Sequence, residues 1–439
     1  MIHAIRKKLS GDASSAETIK GSASNFLIRI VGLIAGYLFT LFISRFFGAG
    51  VLGAHTISTT VLMMFTIPGR LGMDLHIVKA FSTGRLNGRW DLIHEIYRKT
   101  VLIGTVLGII LSGLLYFSSE FIAVQLFNKP FLVPYLKVIA FAVLPMTMRF
   151  INSECYRGFG MNRQYVYSQN VSYFLYALVI LGALTLFSQN PLLPNIAFLI
   201  SLFILASSST YLVFKRIWRE TKLYSNEWPV KNWIRSSAPM MMAGSLLLIS
   251  GWINTIVLGA YESAEVVGVF AVIIKVTAFA NFVLQAVNGI ATPKFAQLHG
   301  EGDHEGLKSY VTSTTKIIFW ASLPLLLLLT AGGWFLLGLF GKEFTEGYAA
   351  LLVVMGGKTI GVLCGSNGNL LNMTGHQVPF RNIMATSTII SIVVCMILIP
   401  SYGMMGSAIS TAIFIAIWNL ASVIYIKRKL GIKTYYMPF

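Results

Sequence analysis

The chain has 439 residues, 55% hydrophobic and 11% charged, with a formal net charge of +18. A soluble domain averages about 25% charged residues, so a soluble fold is excluded and an all-α polytopic membrane protein is indicated. Cys155, Cys364 and Cys395 have no metal-type spacing and sit in or beside apolar runs, which leaves buried, inert thiols rather than a disulfide framework or a zinc site.

Residues 1–23 form a polar, basic cytoplasmic N-terminal segment carrying Arg6, Lys7, Lys8 and Lys20. No short apolar region with a small-residue cleavage site precedes the first long span, so no removable signal peptide is expected. Twelve apolar spans follow, at about 24–44, 51–73, 100–118, 131–152, 166–187, 194–214, 236–258, 265–289, 313–340, 348–371, 381–400 and 404–426. Residues 215–235 are a cytoplasmic linker between a first six-helix half, 24–214, and a second, 236–426. A basic tail, 427–439, completes the chain.

The loops alternate in charge. Those on the side of the N-terminus, with the two end segments, hold 26 of the 34 basic residues, whereas the opposite loops hold Arg45, Lys129 and Lys342. Positively charged loops stay in the cytoplasm, so both termini are expected there. The net charge then reflects topology and attraction to anionic membrane lipids, not nucleic acid.

The halves repeat at an offset of 215, which pairs Gly53 with Gly268, Lys79 with Lys294 and Gly160 with Gly375. An even number of spans per half makes the halves parallel, the arrangement of transporters that bind between them and work by alternating access around a central cavity.

Five basic residues fall inside the spans: Arg29, Arg70, Lys137, Lys275 and Lys358. No Asp or Glu lies at mid-span, since Asp74 and Glu154 sit at helix ends. A mid-membrane lysine costs about 3 kcal/mol unless it faces a cavity. In Tyr348–Asn372, Lys358, Gly361, Gly365, Asn369 and Asn372 step by three or four residues and share one face if the segment is a single helix. Arg29 lies on a stripe with Asn25, Gly32 and Gly36. Lys275 shares its span with Asn281, Gln285 and Asn288, though not their face. Arg70, Lys137 and Arg149 are nearer span ends, where long side chains snorkel to the interface; Arg70 is kept among the candidate binding residues. Gly356-Gly357-Lys358-Thr359 imitates the end of a phosphate-binding loop, but Leu352 stands where that loop needs glycine, and the strand it requires is missing from the pattern.

Cations without internal carboxylates favour an anionic ligand, and arginine's fork suits phosphate oxygens. A diphosphate head group fits, whereas a cationic drug does not. The expected substrate-binding set is Arg29, Lys275, Lys358 and Arg70, with Asn281, Gln285, Asn288, Asn369 and Asn372 offering hydrogen bonds to sugar or phosphate.

The chain resembles the multidrug/oligosaccharidyl-lipid/polysaccharide exporter superfamily, and within it the polysaccharide (O-antigen type) flippase branch. The resemblance rests on Arg45-Phe46-Phe47-Gly48-Ala49-Gly50-Val51-Leu52-Gly53 and Leu71-Gly72-Met73-Asp74. Leu258-Gly259-Ala260-Tyr261 and Val267-Gly268-Val269-Phe270 echo them, and Asn372-Met373-Thr374-Gly375-His376-Gln377 is similar to the turn after span ten. It implies a V-shaped bundle in the bacterial cytoplasmic (inner) membrane. The cargo implied is a polyprenyl-diphosphate-linked oligosaccharide moved to the outer leaflet for cell-surface polysaccharide assembly, with polysaccharide polymerase machinery as a further partner. Related lipid-linked peptidoglycan precursor flippases carry cavity arginines, including one on the first span, which Arg29 matches in placement.

No cofactor and no catalysis are expected, and the energy would come from an ion gradient or the membrane potential. The rival readings are an ion-coupled drug or metabolite exporter of the same superfamily and a membrane-embedded glycosyltransferase or polymerase. The drug-exporting branch uses membrane-embedded carboxylates, which the spans lack, and the outer loops are too short for a catalytic centre.

Overall fold

Inside a bilayer every backbone N–H and C=O must be satisfied within the segment, so apolar runs of this length fold as helices. The computed structural model describes residues 2–70, 73–220 and 251–436, and all regular structure among them is helical. In chain order the helices are α1 (Ile2–Arg70), α2 (Met73–Leu86), α3 (Trp90–Phe121), α4 (Val133–Ala140), α5 (Val143–Gly158), α6 (Asn162–Asn170), α7 (Ser172–Thr185), α8 (Leu193–Glu220), α9 (251–261), α10 (Ala264–Ala278), α11 (Phe282–Gly300), α12 (His304–Ala331), α13 (Gly333–Gly338), α14 (Tyr348–Cys364), α15 (Asn367–Met373) and α16 (Gln377–Leu430).

Seven helices among the described residues are long and apolar enough to cross a membrane, and two bent pairs, α4 with α5 and α6 with α7, raise the number to nine. Two of the seven are each a pair of spans joined at a glycine: α1 departs from helical geometry at Gly48 (φ 80°) and α16 at Gly403 (φ 52°). Positive φ is cheap only for glycine, so these residues break one helix from the next without a longer loop. With both divided, the described helices match eleven of the twelve expected spans. The twelfth, 236–258, lies mostly outside the described residues, as do Leu71 and Gly72 of the second motif and 221–235 of the linker.

Helix ends follow ordinary capping chemistry. The Ser263 hydroxyl accepts from the Val266 N–H at the start of α10, and an Asp303 carboxylate oxygen accepts from the Gly306 N–H (2.8 Å) at the start of α12. Each satisfies one of the N–H groups that a first helical turn leaves without a partner. Lys427, Arg428 and Lys429 in the last turn of α16 complement the negative end of its dipole, and Gly431 (φ 67°) ends it.

The chain forms two compact units. Unit 1 comprises Met1–Phe47 and Ile57–Ser245; unit 2 comprises Gly48–Thr56 and Leu246–Phe439. In unit 1 a core of Ile77, Phe81, Ile96, Ile151, Phe159 and Ile217 packs α2, α3, α5 and α8 together. In unit 2, Phe295, Leu307, Val311, Leu370 and Ile426 do the same for α11, α12, α15 and α16.

Unit 2 contains the physical reason for one of the repeat matches. A Cβ on Gly53 would lie 1.7 Å from the Ala264 carbonyl oxygen, and a Cβ on Gly268 would lie 2.2 Å from that of Ala49. The offset of 215 pairs 49 with 264 and 53 with 268. The α1 segment after Gly48 and α10 thus cross reciprocally at backbone distance, which admits glycine alone.

Candidate cationic site

The geometry of α14 is set by its glycines. A Cβ on Gly357 would sit 2.7 Å from the Ala412 Cα, and one on Gly361 would sit 3.5 Å from the Asn419 amide nitrogen, so this line of α14 packs against α16. Leu351, Val354, Met355 and Val362 are buried round the adjoining surface, while Leu352 and Gly356 on the far side are exposed. At 100° per residue Lys358 falls in the middle of the buried arc. It is half-buried, and among the described residues it makes no hydrogen bond or ion pair.

The expectation of one continuous polar face from Lys358 to Asn372 is corrected. α14 stops at Cys364, Gly365 takes φ 69° and ψ −142°, and α15 begins at Asn367. The positive φ suits glycine, and the packing leaves no room for a side chain: a Cβ on Gly365 would meet the Thr315 hydroxyl of α12 at 2.6 Å. Helical projection does not carry across that break, so Asn369 and Asn372, both half-buried in α15, do not inherit the direction of Lys358. The Asn372 carbonyl accepts from the Gln377 amide (2.8 Å).

Asn288 is brought to the break from another helix: its side-chain oxygen accepts from the Ser366 hydroxyl. This bond ties α11 to the junction of α14 and α15. Lys275 is half-buried in α10, flanked by the buried Val272, Ile273, Val276 and Thr277. After Ala278 the chain tightens into a 3-10 turn, Phe279–Asn281, so Asn281 sits at the bend while Gln285 is exposed one turn into α11.

Three buried asparagines of unit 2 escaped sequence reasoning. Asn254 in α9 donates to the Thr411 hydroxyl, Asn367 donates to the Asn419 carbonyl, and Asn419 donates to the Ile415 carbonyl (3.4, 3.4 and 2.8 Å). The side-chain oxygens of all three are buried without a partner. Leaving such a group unsatisfied costs about 1–3 kcal/mol. The signal for them is an amide within an apolar run, which pairs across helices in a bundle.

In unit 1 the stripe Asn25, Arg29, Gly32, Gly36 is only partly inward. Gly32 and Gly36 are buried, with a Cβ on Gly36 only 3.1 Å from the Phe174 ring, whereas Arg29 is exposed. Arg70 is half-buried with its guanidinium 4.2 Å from the Phe150 ring centre. Lys137 holds its ammonium 5.6 Å from the Tyr116 ring.

Arg149 does not snorkel. It is 2% exposed, donates through Nη1 to the Ser168 carbonyl (2.9 Å), and lies 4.3 and 4.9 Å from the Phe150 and Tyr173 ring centres. Its planar, weakly hydrated head can be housed by carbonyls and aromatic faces, so burial is tolerated. All three cysteines are free and buried, as expected.

Comparison with known proteins gives this geometry a context. Residues 18–299 match the model of the family described as polysaccharide biosynthesis protein. A probable low-salt glycan biosynthesis flippase, Agl15, of Haloferax volcanii is 24% identical over 193 residues, a stretch that covers 42% of this chain and 39% of that protein. The fold is similar to the inward-facing form of a multidrug resistance MATE family transporter of the MOP superfamily (TM-score 0.73, 14% identity, covering 92% of this chain and 98% of that one). It is also similar to the lipid II flippase MurJ in an inward closed form (TM-score 0.69, 16% identity, 93% and 87%). By their descriptions these relatives are a probable glycan biosynthesis flippase, a multidrug transporter and a lipid II flippase. The chain therefore belongs to the polysaccharide biosynthesis protein family, with the all-helical membrane fold of the MOP-superfamily transporters.

Proposed function

We propose that this chain flips a polyprenyl-diphosphate-linked oligosaccharide across the bacterial cytoplasmic membrane by alternating access. The halves 24–214 and 236–426, joined by the linker 215–235, would open alternately to each side, with both termini, 1–23 and 427–439, in the cytoplasm. The observation that carries the reading is Lys358: a cation on the buried arc of an apolar helix, with no counter-ion among the described residues. An ammonium in that setting is stabilised by an arriving anion. In this reading Lys358, Lys275, Arg29 and Arg70 engage the diphosphate. Asn281, Gln285, Asn288, Asn369 and Asn372 offer hydrogen bonds to phosphate or sugar.

The glycan flippase relative and the family match support the cargo class. The protein acts without a cofactor or a catalytic step of its own, and a polysaccharide polymerase would take the delivered cargo. The membrane potential contributes about 2.3 kcal/mol per charge moved through 100 mV.

The test is to deplete the gene in its host and identify by mass spectrometry the polyprenyl-linked material that accumulates. A complete oligosaccharide on a polyprenyl diphosphate, cleared by the wild type but not by Lys358→Ala or Arg29→Ala, is the expected result. Unchanged lipid pools would redirect the assignment to an exporter of small molecules, and incomplete chains at the outer leaflet to an enzyme.

A further inference from the structure

A cleft of about 440 Å³ opens in unit 1 between α3, α5 and α8, lined among others by Val101, Thr105, Met148, Phe203, Ser207 and Tyr211. Its size falls within the ~300–1,000 Å³ typical of small-molecule sites. Its inner wall is stitched in place by hydrogen bonds. The Tyr97 hydroxyl donates to the Asn152 side-chain oxygen (2.9 Å), and the Asn152 amide donates to the Ser209 and Thr210 hydroxyls (3.0 and 2.8 Å). Tyr97 of α3, Asn152 of α5, and Ser209 and Thr210 of α8 are thereby tied together, so the three helices are held side by side without an occupant.

Two features say what occupies it. The flanking side chains Leu102, Val106, Leu212 and Phe214 are large, apolar and exposed, the condition of a surface that meets hydrocarbon. An apolar cleft opening on such a surface is filled by a chain, because water gains no partners there. The second feature is the charge at one end. Arg98 lies one turn before Val101 on the same face of α3, and Lys215 lies one turn beyond Tyr211 on α8, with its ammonium 5.6 Å from the Tyr211 ring.

Across this mouth α3 and α8 are in register, since the His94 ring lies 6.5 and 6.2 Å from those of Phe214 and Trp218. The two helix ends present Arg98, Lys99, Lys215, Arg216 and Arg219 against Asp91, Glu95 and Glu220, with Asp91 already paired with Arg89 and Glu95 with Lys99. The end is net positive, and it is the end that charge asymmetry assigns to the cytoplasm. Apolar walls below a cationic mouth match one amphiphile in orientation as well as charge.

We propose that this cleft is a binding site for an anionic glycerophospholipid of the cytoplasmic leaflet. One acyl chain lies along Val101, Met148 and Phe203, and the phosphate sits between Arg98 and Lys215. The site belongs wholly to unit 1, contains none of the residues placed in cargo binding, and stands whether or not the cargo assignment does.

The experiment uses the full-length protein in phosphatidylcholine nanodiscs containing a phosphatidylglycerol probe with a photoactivatable acyl chain. Labelled peptides are mapped by mass spectrometry. Label should concentrate in 101–105 and 203–211 and be displaced by unlabelled phosphatidylglycerol but not by phosphatidylcholine. Arg98→Gln and Lys215→Gln, both exposed changes that leave the fold intact, should each lower it about fivefold, the effect of one basic side chain at an anionic lipid surface.

Ser207→Trp, which fills the cleft, should abolish labelling while the protein still elutes as a single folded species. Equal labelling by a phosphatidylcholine probe, or labelling that survives in a folded Ser207→Trp protein, overturns the proposal. So does displacement by polyprenyl diphosphate in place of phosphatidylglycerol, which would make the cleft a seat for the cargo's tail.

Discussion

Arg149 in unit 1 and Lys358 in unit 2 pose the same problem and receive opposite solutions. Each puts a basic side chain on an apolar helix, and neither is paired with a carboxylate among the described residues. Arg149 is sealed in: 2% exposed, bonded to a carbonyl oxygen and set against two aromatic rings. Lys358 is half-buried beside Val354, Met355 and Val362, with nothing among the described residues to accept its protons. A guanidinium spreads its charge over a plane that rings and carbonyls can cover, whereas an ammonium is a compact, strongly hydrated point charge that they cannot. The satisfied cation is therefore a structural element, and the unsatisfied one is the residue to which the proposed function gives the anion. Sealing, not mere presence within a span, separates the two roles.

The largest expected effect breaks the structural member of the pair. Arg149→Ala should lower stability by about 2 kcal/mol: emptying a packed site of that size costs about 2–5 kcal/mol, and relief of the buried charge offsets part of it. Thermal unfolding in detergent reads this directly, and transport per folded molecule should be retained. A variant as stable as the wild type would show that Arg149 is merely tolerated.

Next comes Lys358→Met, which keeps the length of the side chain and removes its charge. Flipping of labelled lipid-linked oligosaccharide in proteoliposomes should fall at least about tenfold, equivalent to ~1.4 kcal/mol. The unfolding temperature should hold or rise, because an uncompensated charge leaves a low-dielectric site. A fall in stability with unchanged transport would reverse the assignment and make Lys358 the structural residue.

How much of this was legible beforehand depends on the range of the interaction involved. The spans were readable because bilayer thickness and backbone satisfaction act on every residue of a run, and eleven of them coincide with described helices once α1 and α16 are divided at Gly48 and Gly403. The Gly53–Gly268 match was visible as a repeat, yet its cause, two backbones within touching distance, needed coordinates.

The break at Gly365 has a local signal, because Gly365-Ser366-Asn367-Gly368-Asn369 is a helix-breaking cluster that projection on a single helix passes over. The part that needs coordinates is the close approach of Thr315, about fifty positions away. Arg149 was misjudged because snorkelling was inferred from distance to the span end. What decides its fate is the Ser168 carbonyl and the Tyr173 ring on the following helices. Long-range packing, not local propensity, is what the sequence left unread.

The smallest effect gives the sharpest test of why the two cations differ. Arg149→Lys preserves charge and approximate length but removes the plane. The ammonium can keep one hydrogen bond to the Ser168 carbonyl, but it cannot lie against Phe150 and Tyr173 at once, and its stronger hydration is lost on burial. The expected cost is about 1 kcal/mol, the scale of one cation–π contact in a desolvated site, read as a shift of a few degrees in the unfolding temperature.

The reciprocal change, Lys358→Arg, should leave transport within about threefold of the wild type, because a fork still meets phosphate oxygens. If instead Arg149→Lys is neutral, side-chain shape is not what seals Arg149, and charge alone must be found a home in each unit. If Lys358→Arg abolishes flipping while the fold survives, the receptor requires a point charge that can give up its proton. Of the two energy sources, an ion gradient or the membrane potential, that outcome would favour the gradient, coupled through protonation of Lys358 itself.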